Sequence, residues 1–273
     1  MKIGITGSHG FIGSYLKKHF SKHDVISIER KPPYDWALPD ITFDAVVHLS
    51  GANIAKRWTP EYKKELYNSR VIGTRNLVRS VKTNTLISAS AIGYYGNRGD
   101  EELDEDSSKG SSFLSDLCGD WEAEALKCSA RVCMPRFGLV LGKGGPLDRM
   151  IPAFKWCLGG RLGDGRQWMS WIALQDLARG IEHLITNPNC EGAYNFCSPN
   201  PVRNQDFTLA LAKALHRFVG PPIPEALLRF LLGEMADGLF LNSCRVVGKK
   251  LLESGFSFLC RDLSQTLSDI LAN

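Results

Sequence analysis

Three glycines near the start of the chain are the residues whose type and spacing most directly indicate chemistry. The segment IGITGSHGFIG places Gly7, Gly10 and Gly13 three residues apart, after a short apolar run and at the start of an amphipathic stretch. A strand that turns into a helix in this way leaves free backbone N–H groups facing an anion. Gly7 can take the tight turn, Gly10 lets a pyrophosphate approach the backbone, and Gly13 permits close helix packing. The pattern predicts a nucleotide cofactor.

The end of the second predicted strand carries residues that select between two dinucleotides. A carboxylate at this position accepts a hydrogen bond from the ribose 2′-hydroxyl of NAD, whereas an arginine pairs with the 2′-phosphate of NADP. Here the strand is followed by Glu29, Arg30 and Lys31. Glu29 suits NAD(H) but repels a phosphate unless it turns away, while Arg30 and Lys31 supply two cations. We therefore predict NADP(H) in preference to NAD(H); a solvated, charged strand end is the alternative.

Guanidinium and indole groups occur together in two loops that we expect near the carboxyl edge of the sheet, where ligands bind in such folds. Aromatic planes with arginines suit a flat or anionic ligand, including a nucleotide-linked one. Packing of the tryptophans between lobes is the alternative. The predicted substrate-side residues are Arg57, Trp58, Arg166, Trp168 and Trp171.

The elements that must position these residues alternate between strand and helix. Strands are predicted over 2–6, 24–28, 45–49, 86–89, 130–134 and 193–196, and helices from 11, over 60–81, 113–127, 176–185, 205–215 and 224–232. This βαβ rhythm predicts an α/β fold with a Rossmann doubly wound parallel sheet and a smaller C-terminal substrate lobe. We assign residues 1–142 with 174–198 to a dinucleotide-binding domain, and residues 143–173 with 199–273 to the substrate-side lobe.

The amino-acid composition and charge indicate which kinds of binding partner to expect. The 273 residues are 44% hydrophobic, and the 33 basic and 29 acidic residues give a net charge of +4 spread along the chain. This distribution predicts neither a nucleic-acid partner nor a membrane partner. The chain enters its first strand directly, so we expect a cytoplasmic protein. Its eight cysteines form no C-x-x-C pair and its histidines show no ligand spacing, so we expect reduced thiols and no metal.

Several ordered segments resemble the extended short-chain dehydrogenase/reductase family. They are TGSHGFIG at the start, AVVHLSGAN at 45–53, SRVIGTRNLV at 69–78, SASAIGYYG at 88–96, PRFGLVLG at 135–142 and SWIALQDLARG at 170–180. The longer strings NIAKRWTPEYKKEL, GGRLGDGRQWMSWI, NPVRNQDF and LLGEMADG are similar to an atypical, epimerase-like subgroup that carries a C-terminal domain of unknown function.

The resemblance implies a cofactor site that runs over six segments. The glycine turn holds the pyrophosphate, Arg30 the 2′-phosphate, and the turn at 49–51 the adenosine ribose and pyrophosphate region. Arg70 reaches the cofactor together with Glu65, with a helix-surface charge pair as the alternative. The strand ending at Ser88 presents a hydroxyl to the reacting carbonyl, and the segment around Val140 closes the nicotinamide side. In chain order the site residues are Gly7, Gly10, Phe11, Ile12, Gly13, Glu29, Arg30, Leu49, Ser50, Gly51, Glu65, Arg70, Ser88 and Val140.

The usual acid–base pair of this family, a tyrosine followed four residues later by a lysine, is absent. None of the seven tyrosines has a lysine at that spacing. Alignment of the helix over 113–127 puts Leu114 at the tyrosine position and Cys118 at the lysine position. A phenol without a neighbouring cation keeps a pKa near 10, so ordinary reductase or epimerase rates are not expected.

Other side chains are candidates for the missing roles. We take Ser88, Ser90 and Tyr95 as the catalytic set, with Tyr94, Cys118 and Glu122 as further candidates. Each has a structural alternative as a pocket wall, a core residue or a helix-face charge. Two functions stay open: an NADP(H)-binding epimerase-like protein or oxidoreductase of unknown substrate, and a non-catalytic NADP(H)-responsive binding or regulatory protein. Either is compatible with a monomer or a homodimer.

Overall fold

A mostly parallel sheet of eight strands forms the centre of the structure, a computed structural model that describes residues 1–272. In chain order the strands are β1 (Lys2–Thr6), β2 (Asp24–Lys31), β3 (Asp35–Ala37), β4 (Ala45–His48), β5 (Thr85–Ser88), β6 (Ser90–Ala91), β7 (Glu102–Leu103), β8 (Arg131–Phe137), β9 (Leu139–Leu141), β10 (Trp168–Met169), β11 (Trp171–Ala173), β12 (Gly192–Phe196), β13 (Val202–Arg203) and β14 (Arg245–Val246). The helices are α1 (Phe11–His19), α2 (Pro60–Tyr67), α3 (Gly73–Ser80), α4 (Phe113–Ala125), α5 (Pro146–Lys155), α6 (Leu174–Thr186), α7 (Asn204–Ala214), α8 (Glu225–Leu232), α9 (Lys249–Glu253) and α10 (Leu263–Ala272).

The order of the strands places a ligand crevice between β1 and β4. The sheet runs β12-β8-β5-β4-β1-β2-β3, with β6 beside β8, and of these pairs only β2 and β3 are antiparallel. The chain moves outward from β1 to β2 and then returns to form β4 on the other side of β1. Ligands bind at the carboxyl ends of strands where the order reverses in this way. The predicted α/β fold with a doubly wound parallel sheet is confirmed.

The helix predicted over 60–81 is observed over residues 60–80 and contains a π-helical turn. Thr59 caps α2 by accepting the Tyr62 N–H at 3.2 Å, but residues Asn68–Ile72 form a π-helical turn before α3 begins. Within this wider turn, Ser69 accepts the Ala52 N–H at 3.0 Å and donates to the Leu66 carbonyl at 3.1 Å. The long helix predicted from about Pro60 to Val81 is therefore present, with a π-helical turn at its centre where Ser69 contacts the loop that follows β4.

Three helices, α5, α7 and α10, pack together around Trp171. Trp171 on β11 is fully buried among apolar residues of α5, α7 and α10. Helices α5 and α10 and strand β9 were not predicted from the sequence; α5 lies between the glycine pairs at 144–145 and 159–160, which suggested an irregular segment. Strands β9 and β11 pair in parallel as a separate two-stranded sheet, so the segment between them leaves this pair of strands and returns to it. The division at residues 142 and 174 stays a prediction that is compatible with this path.

A chain of buried hydrogen bonds joins the ends of β1 and β4. The Thr6 hydroxyl accepts the N–H groups of Leu49 and Ser50 at 3.1 and 3.3 Å. Its own hydrogen therefore points to Nδ1 of His48, 2.7 Å away, which leaves Nε2 of that imidazole to donate to the Thr74 hydroxyl at 2.9 Å. Burial lowers the pKa of His48 from 6.5 to about 3, so the ring is neutral.

We predict that His48 makes the folded state sensitive to acid. On unfolding, its imidazole regains a pKa of 6.5 and takes up a proton, whereas folded His48 stays neutral down to about pH 3. The free energy of unfolding should therefore decrease as the pH falls from 6.5 toward 3, with a His48 contribution of about 1.4 kcal/mol per pH unit. Urea denaturation between pH 7 and 5 should give a smaller slope for His48→Asn than for the wild type. Equal slopes would contradict the assignment.

Candidate cofactor and ligand site

The glycine turn after β1 has the geometry that an anion site requires. Gly7 takes a φ of +67°, which side chains other than glycine rarely adopt. A Cβ atom on Gly13 would lie 2.2 Å from the Gly7 carbonyl oxygen, so α1 crosses this turn in direct backbone contact. Gly10 precedes α1 in extended conformation and provides no side-chain cap, which leaves the first N–H groups of the helix available to a ligand.

The turn at residues 49–51 lies directly against the glycine turn. A Cβ atom on Gly7 would be 3.2 Å from the Ser50 nitrogen. On the far side, Arg70 donates to the Ala52 carbonyl at 3.1 Å, and its guanidinium carbon would be 3.0 Å from a Cβ on Gly51. Burial lowers the pKa of Arg70. Arg70 thus contacts the turn at residues 49–51 and stabilises its position.

Arg30 at the end of β2 is held in a fixed position. Its guanidinium donates to the Pro33 carbonyl at 3.0 Å and lies 4.6 Å from the centre of the Tyr34 ring. Glu65 is 3.9 Å from the guanidinium and accepts a 2.5 Å hydrogen bond from the Tyr34 hydroxyl, which raises the pKa of that phenol. Lys31, next in the strand, is exposed. A half-buried guanidinium with one weak carboxylate partner is well placed to pair with a phosphate.

Two of the predicted carboxylates have partners other than those expected from the sequence. Glu65 contacts Arg30 and Tyr34, and it forms no ion pair with Arg70 in the described part of the chain. The expected alternative of a Glu65–Arg70 surface pair was therefore wrong, because residues five apart on this helical segment point in different directions. Glu29 is exposed and lies 3.8 Å from His9 in the glycine turn.

Phe11 connects the glycine turn to the segment after β9. A Cβ on Gly145 would lie 2.4 Å from the Phe11 ring, and one on Gly142 would lie 3.3 Å from it. Ile12 packs beside Phe11 against the core that contains the buried Val140. The structure therefore brings the predicted nicotinamide-side segment close to the predicted pyrophosphate turn.

Ser88, which ends β5, and Ser90, which begins β6, have different surroundings. The Ser88 hydroxyl is buried and forms no hydrogen bond within residues 1–272. By contrast, the Ser90 hydroxyl donates to Oε1 of Glu122 at 2.6 Å. Because a buried hydroxyl without a partner is costly, Ser88 is the group in this region best suited to meet a ligand atom.

Tyr95 belongs to a buried polar network. Its hydroxyl donates to Oδ1 of Asn195 at 2.8 Å and accepts from Arg136 at 2.8 Å, and the side chain is fully buried. Arg136 also makes two 2.8 Å hydrogen bonds to Glu122. Burial raises the pKa of the Tyr95 phenol. The alternative of a helix-face charge for Glu122 was wrong, since this carboxylate is buried and paired.

Neither position of the missing tyrosine and lysine offers a replacement acid or base. Leu114 and Cys118 both lie on α4 and are buried. Burial raises the pKa of the Cys118 thiol to about 12, so this group is neutral at pH 7. All eight cysteines are free thiols. Residues 1–272 contain no group of three or more potential ligands arranged for a metal.

A cleft of about 410 Å³ opens beside Leu114. Trp58 and Phe113 form an aromatic wall with ring centres 5.5 Å apart, and the buried Oδ1 of Asn242 has no hydrogen-bond partner within residues 1–272. The charged lining residues are Glu225, Arg229, Glu234 and Asp237. With Lys63, which pairs with Glu234, the cleft contains three carboxylates and two cations. Its charge does not favour an anion.

The five predicted substrate-side residues do not form one site. Trp58 lines the cleft, and its neighbour Arg57 is exposed. Arg166 lines a second, wider depression. The Trp168 indole N–H donates to Asp100 at 3.0 Å, and the guanidinium groups of Arg203 and Arg245 lie over its ring. Trp171 is buried, and its indole N–H donates to the Asn200 carbonyl at 3.0 Å. Trp171 is therefore a packing residue.

Some residues of the site were missed in the sequence analysis. Pro33 and Tyr34 position Arg30, and a proline pair with an aromatic residue after a basic strand end was a usable signal. Asn242 and Phe113 carried no such signal, because they reach the cleft through folding of distant segments.

Comparison with known proteins identifies the family. The model of the NAD dependent epimerase/dehydratase family matches residues 3–197, and a domain of unknown function matches residues 223–270. The chain therefore belongs to the NAD dependent epimerase/dehydratase family, as its sequence motifs predicted.

Individual relatives match along almost the whole chain. An epimerase family protein of Mycobacterium bovis is 40% identical and covers 97% of this chain and 96% of its own length. The epimerase family protein YfhF of Bacillus subtilis is 34% identical, with 100% and 99% covered. The human epimerase family protein SDR39U1, crystallised with NADPH, has a TM-score of 0.93 at 29% identity and covers 100% of both chains.

We predict that Tyr95→Phe lowers stability. The change removes a hydroxyl that serves both Asn195 and Arg136 in a buried network. Loss of one such group typically costs about 1 to 3 kcal/mol. Chemical denaturation should show this decrease, while Tyr94→Phe, in the neighbouring residue, should change the free energy of unfolding by less than about 0.5 kcal/mol. Unchanged stability of Tyr95→Phe would contradict the network.

Proposed function

We propose that this protein binds NADP(H) across the crevice between β1 and β4. The observation that carries the proposal is Arg30, held by Pro33 and Tyr34 beside the left-handed turn at Gly7. The amide groups at the start of α1 suit a pyrophosphate, and the Arg30 guanidinium suits a 2′-phosphate. The human relative crystallised with NADPH supports the same cofactor.

We further propose that Ser88 and the cleft beside Leu114 serve an oxidoreductase or epimerase-like reaction. NADPH, when bound, supplies a hydride. The unpartnered Ser88 hydroxyl can donate a hydrogen bond to a carbonyl oxygen, and the unpartnered Oδ1 of Asn242 can accept one from a ligand in the cleft. An anionic or nucleotide-linked substrate was expected from the sequence, but the acidic lining favours a neutral or cationic polar molecule with an apolar face for Trp58 and Phe113.

A second function, NADP(H)-responsive binding without turnover, is favoured by one observation. The remaining candidate acids and bases are engaged elsewhere: Tyr95 and Glu122 lie in the buried network, and Cys118 is a neutral thiol. A protein of this kind would bind the cofactor and a cleft ligand while transferring no hydride. It differs from the first function in turnover alone, so a single assay separates the two.

We predict that Arg30→Ala weakens NADPH binding selectively. Loss of a charge-assisted contact with the 2′-phosphate typically corresponds to about a 10- to 100-fold increase in Kd. Fluorescence titration should show this increase for NADPH and little change for NADH. Lys31→Ala, which removes the exposed cation next in the strand, is the matched control. If NADH binds the wild type as tightly as NADPH, the proposed cofactor is wrong.

We predict that Ser88→Ala leaves stability intact and slows turnover. Its hydroxyl has no partner in the described residues, so removal breaks no internal hydrogen bond. Loss of one hydrogen bond to a reacting oxygen typically lowers kcat about 100-fold. NADPH oxidation should be followed with neutral, cationic and nucleotide-sugar carbonyl compounds. Tight NADPH binding without oxidation by any compound would contradict the enzymatic function and support the second one.

A further inference from the structure

Large apolar side chains are exposed where α5 and α7 end. Trp156 is 80% exposed and Leu158 64%, and Phe218 is 84% exposed with Val219 beside it at 40%. Single exposed apolar residues are ordinary on a protein surface, but a group with two almost fully exposed aromatic rings indicates an interaction site.

These residues belong to one surface because the two segments lie side by side. The Gly220 N–H donates to the Gly159 carbonyl at 2.9 Å. A Cβ on Gly160 would be 1.9 Å from the Pro221 carbonyl oxygen, and Leu162 forms a parallel bridge with Ile223. We call the exposed residues of 149–161 and 213–221 the α5–α7 face.

The backbone holds this surface in an uncommon conformation. Cys157 and His216, which follow the ends of α5 and α7, have φ values of 54° and 53°. They are the only non-glycine residues with positive φ in residues 1–272. A left-handed conformation is unfavourable for residues with a side chain, so the turns that present Trp156 and Phe218 are maintained by the surrounding packing.

The α5–α7 face has an excess of positive charge, with the exposed Asp148 directly before its first residue on α5. Its two segments contain five lysines and arginines and no aspartate or glutamate. All five cations are exposed, and none forms an ion pair within the described residues. They are Arg149, Lys155, Arg161, Lys213 and Arg217. Since the whole chain has a net charge of only +4, this face carries a strong local excess.

We infer that the α5–α7 face binds the surface of an anionic lipid bilayer. Lysine and arginine meet the lipid phosphates, while tryptophan, phenylalanine and leucine enter the boundary between headgroups and acyl chains. A second copy of this chain fits less well, because a two-fold contact would bring the two sets of cations together. No helix within residues 1–272 is long and apolar enough to cross a membrane.

This inference goes beyond the proposed cofactor function and revises the expectation of no membrane partner. The expectation was based on cations spread along the sequence. Folding brings together two basic segments that are separated by more than fifty residues, and it places exposed aromatic rings between them. The electrostatic part of the binding should weaken as salt screens the charges.

Sedimentation of the full chain with lipid vesicles tests the inference. Vesicles made of equal parts phosphatidylcholine and phosphatidylglycerol should bind the protein at about 0.1 M salt, and vesicles of phosphatidylcholine alone should bind it at least about tenfold more weakly. Two double variants should each reduce binding at least about tenfold. One combines Trp156→Ala with Phe218→Ala, and the other combines Lys155→Glu with Arg217→Glu. Retained NADPH affinity and thermal stability show that a variant is folded.

Matched controls keep the result specific to this face. Leu126→Ala with Leu259→Ala removes exposed apolar groups elsewhere, and Lys17→Glu with Lys18→Glu makes the same charge change on α1. These controls should bind vesicles like the wild type. The inference is overturned if anionic vesicles do not bind the wild type, or if the α5–α7 variants and the controls lose binding equally. Self-association abolished by Trp156→Ala, or preferential binding to duplex DNA, would also overturn it.

Discussion

The Thr6 hydroxyl is the point on which the arrangement of the site depends. It accepts two amide N–H groups from the turn after β4 and donates to His48, which in turn donates to Thr74 on α3. These hydrogen bonds fix the turn after β4 relative to the end of β1, where the glycine turn begins. A protonated His48 could not accept from Thr6, so burial and the low pKa of this imidazole are part of the same arrangement.

The residues suited to bind the cofactor are different from the candidate acids and bases. The glycine turn and Arg30 present backbone amides and a guanidinium to the crevice, and they need no proton transfer to do so. The buried network of Glu122, Arg136 and Tyr95 instead satisfies its own polar groups. Such a network rigidifies the sheet and leaves its phenol unavailable as an acid. Ser88 differs from it in having no internal partner.

How much the sequence could predict differs between local and distant contacts. The glycine spacing predicted the turn because Gly7 needs a positive φ and Gly13 has no room for a side chain. The parallel sheet could be predicted because short apolar strands alternate with helices along the sequence. The partners of Glu122 and Trp171 could not be predicted, since neither a helical carboxylate nor a loop tryptophan indicates which distant strand or loop it will contact. The α5–α7 face was missed for the same reason.

Hydrogen–deuterium exchange with and without NADPH tests most directly the claim that the β1–β4 crevice holds the cofactor. We expect NADPH to increase protection in three segments: residues 7–16, residues 28–36 and residues 49–53. NADH should protect the first and third segments but the second one less, because it lacks the 2′-phosphate that Arg30 would contact. Protection confined to other parts of the chain, or equal protection of residues 28–36 by the two dinucleotides, would contradict the account.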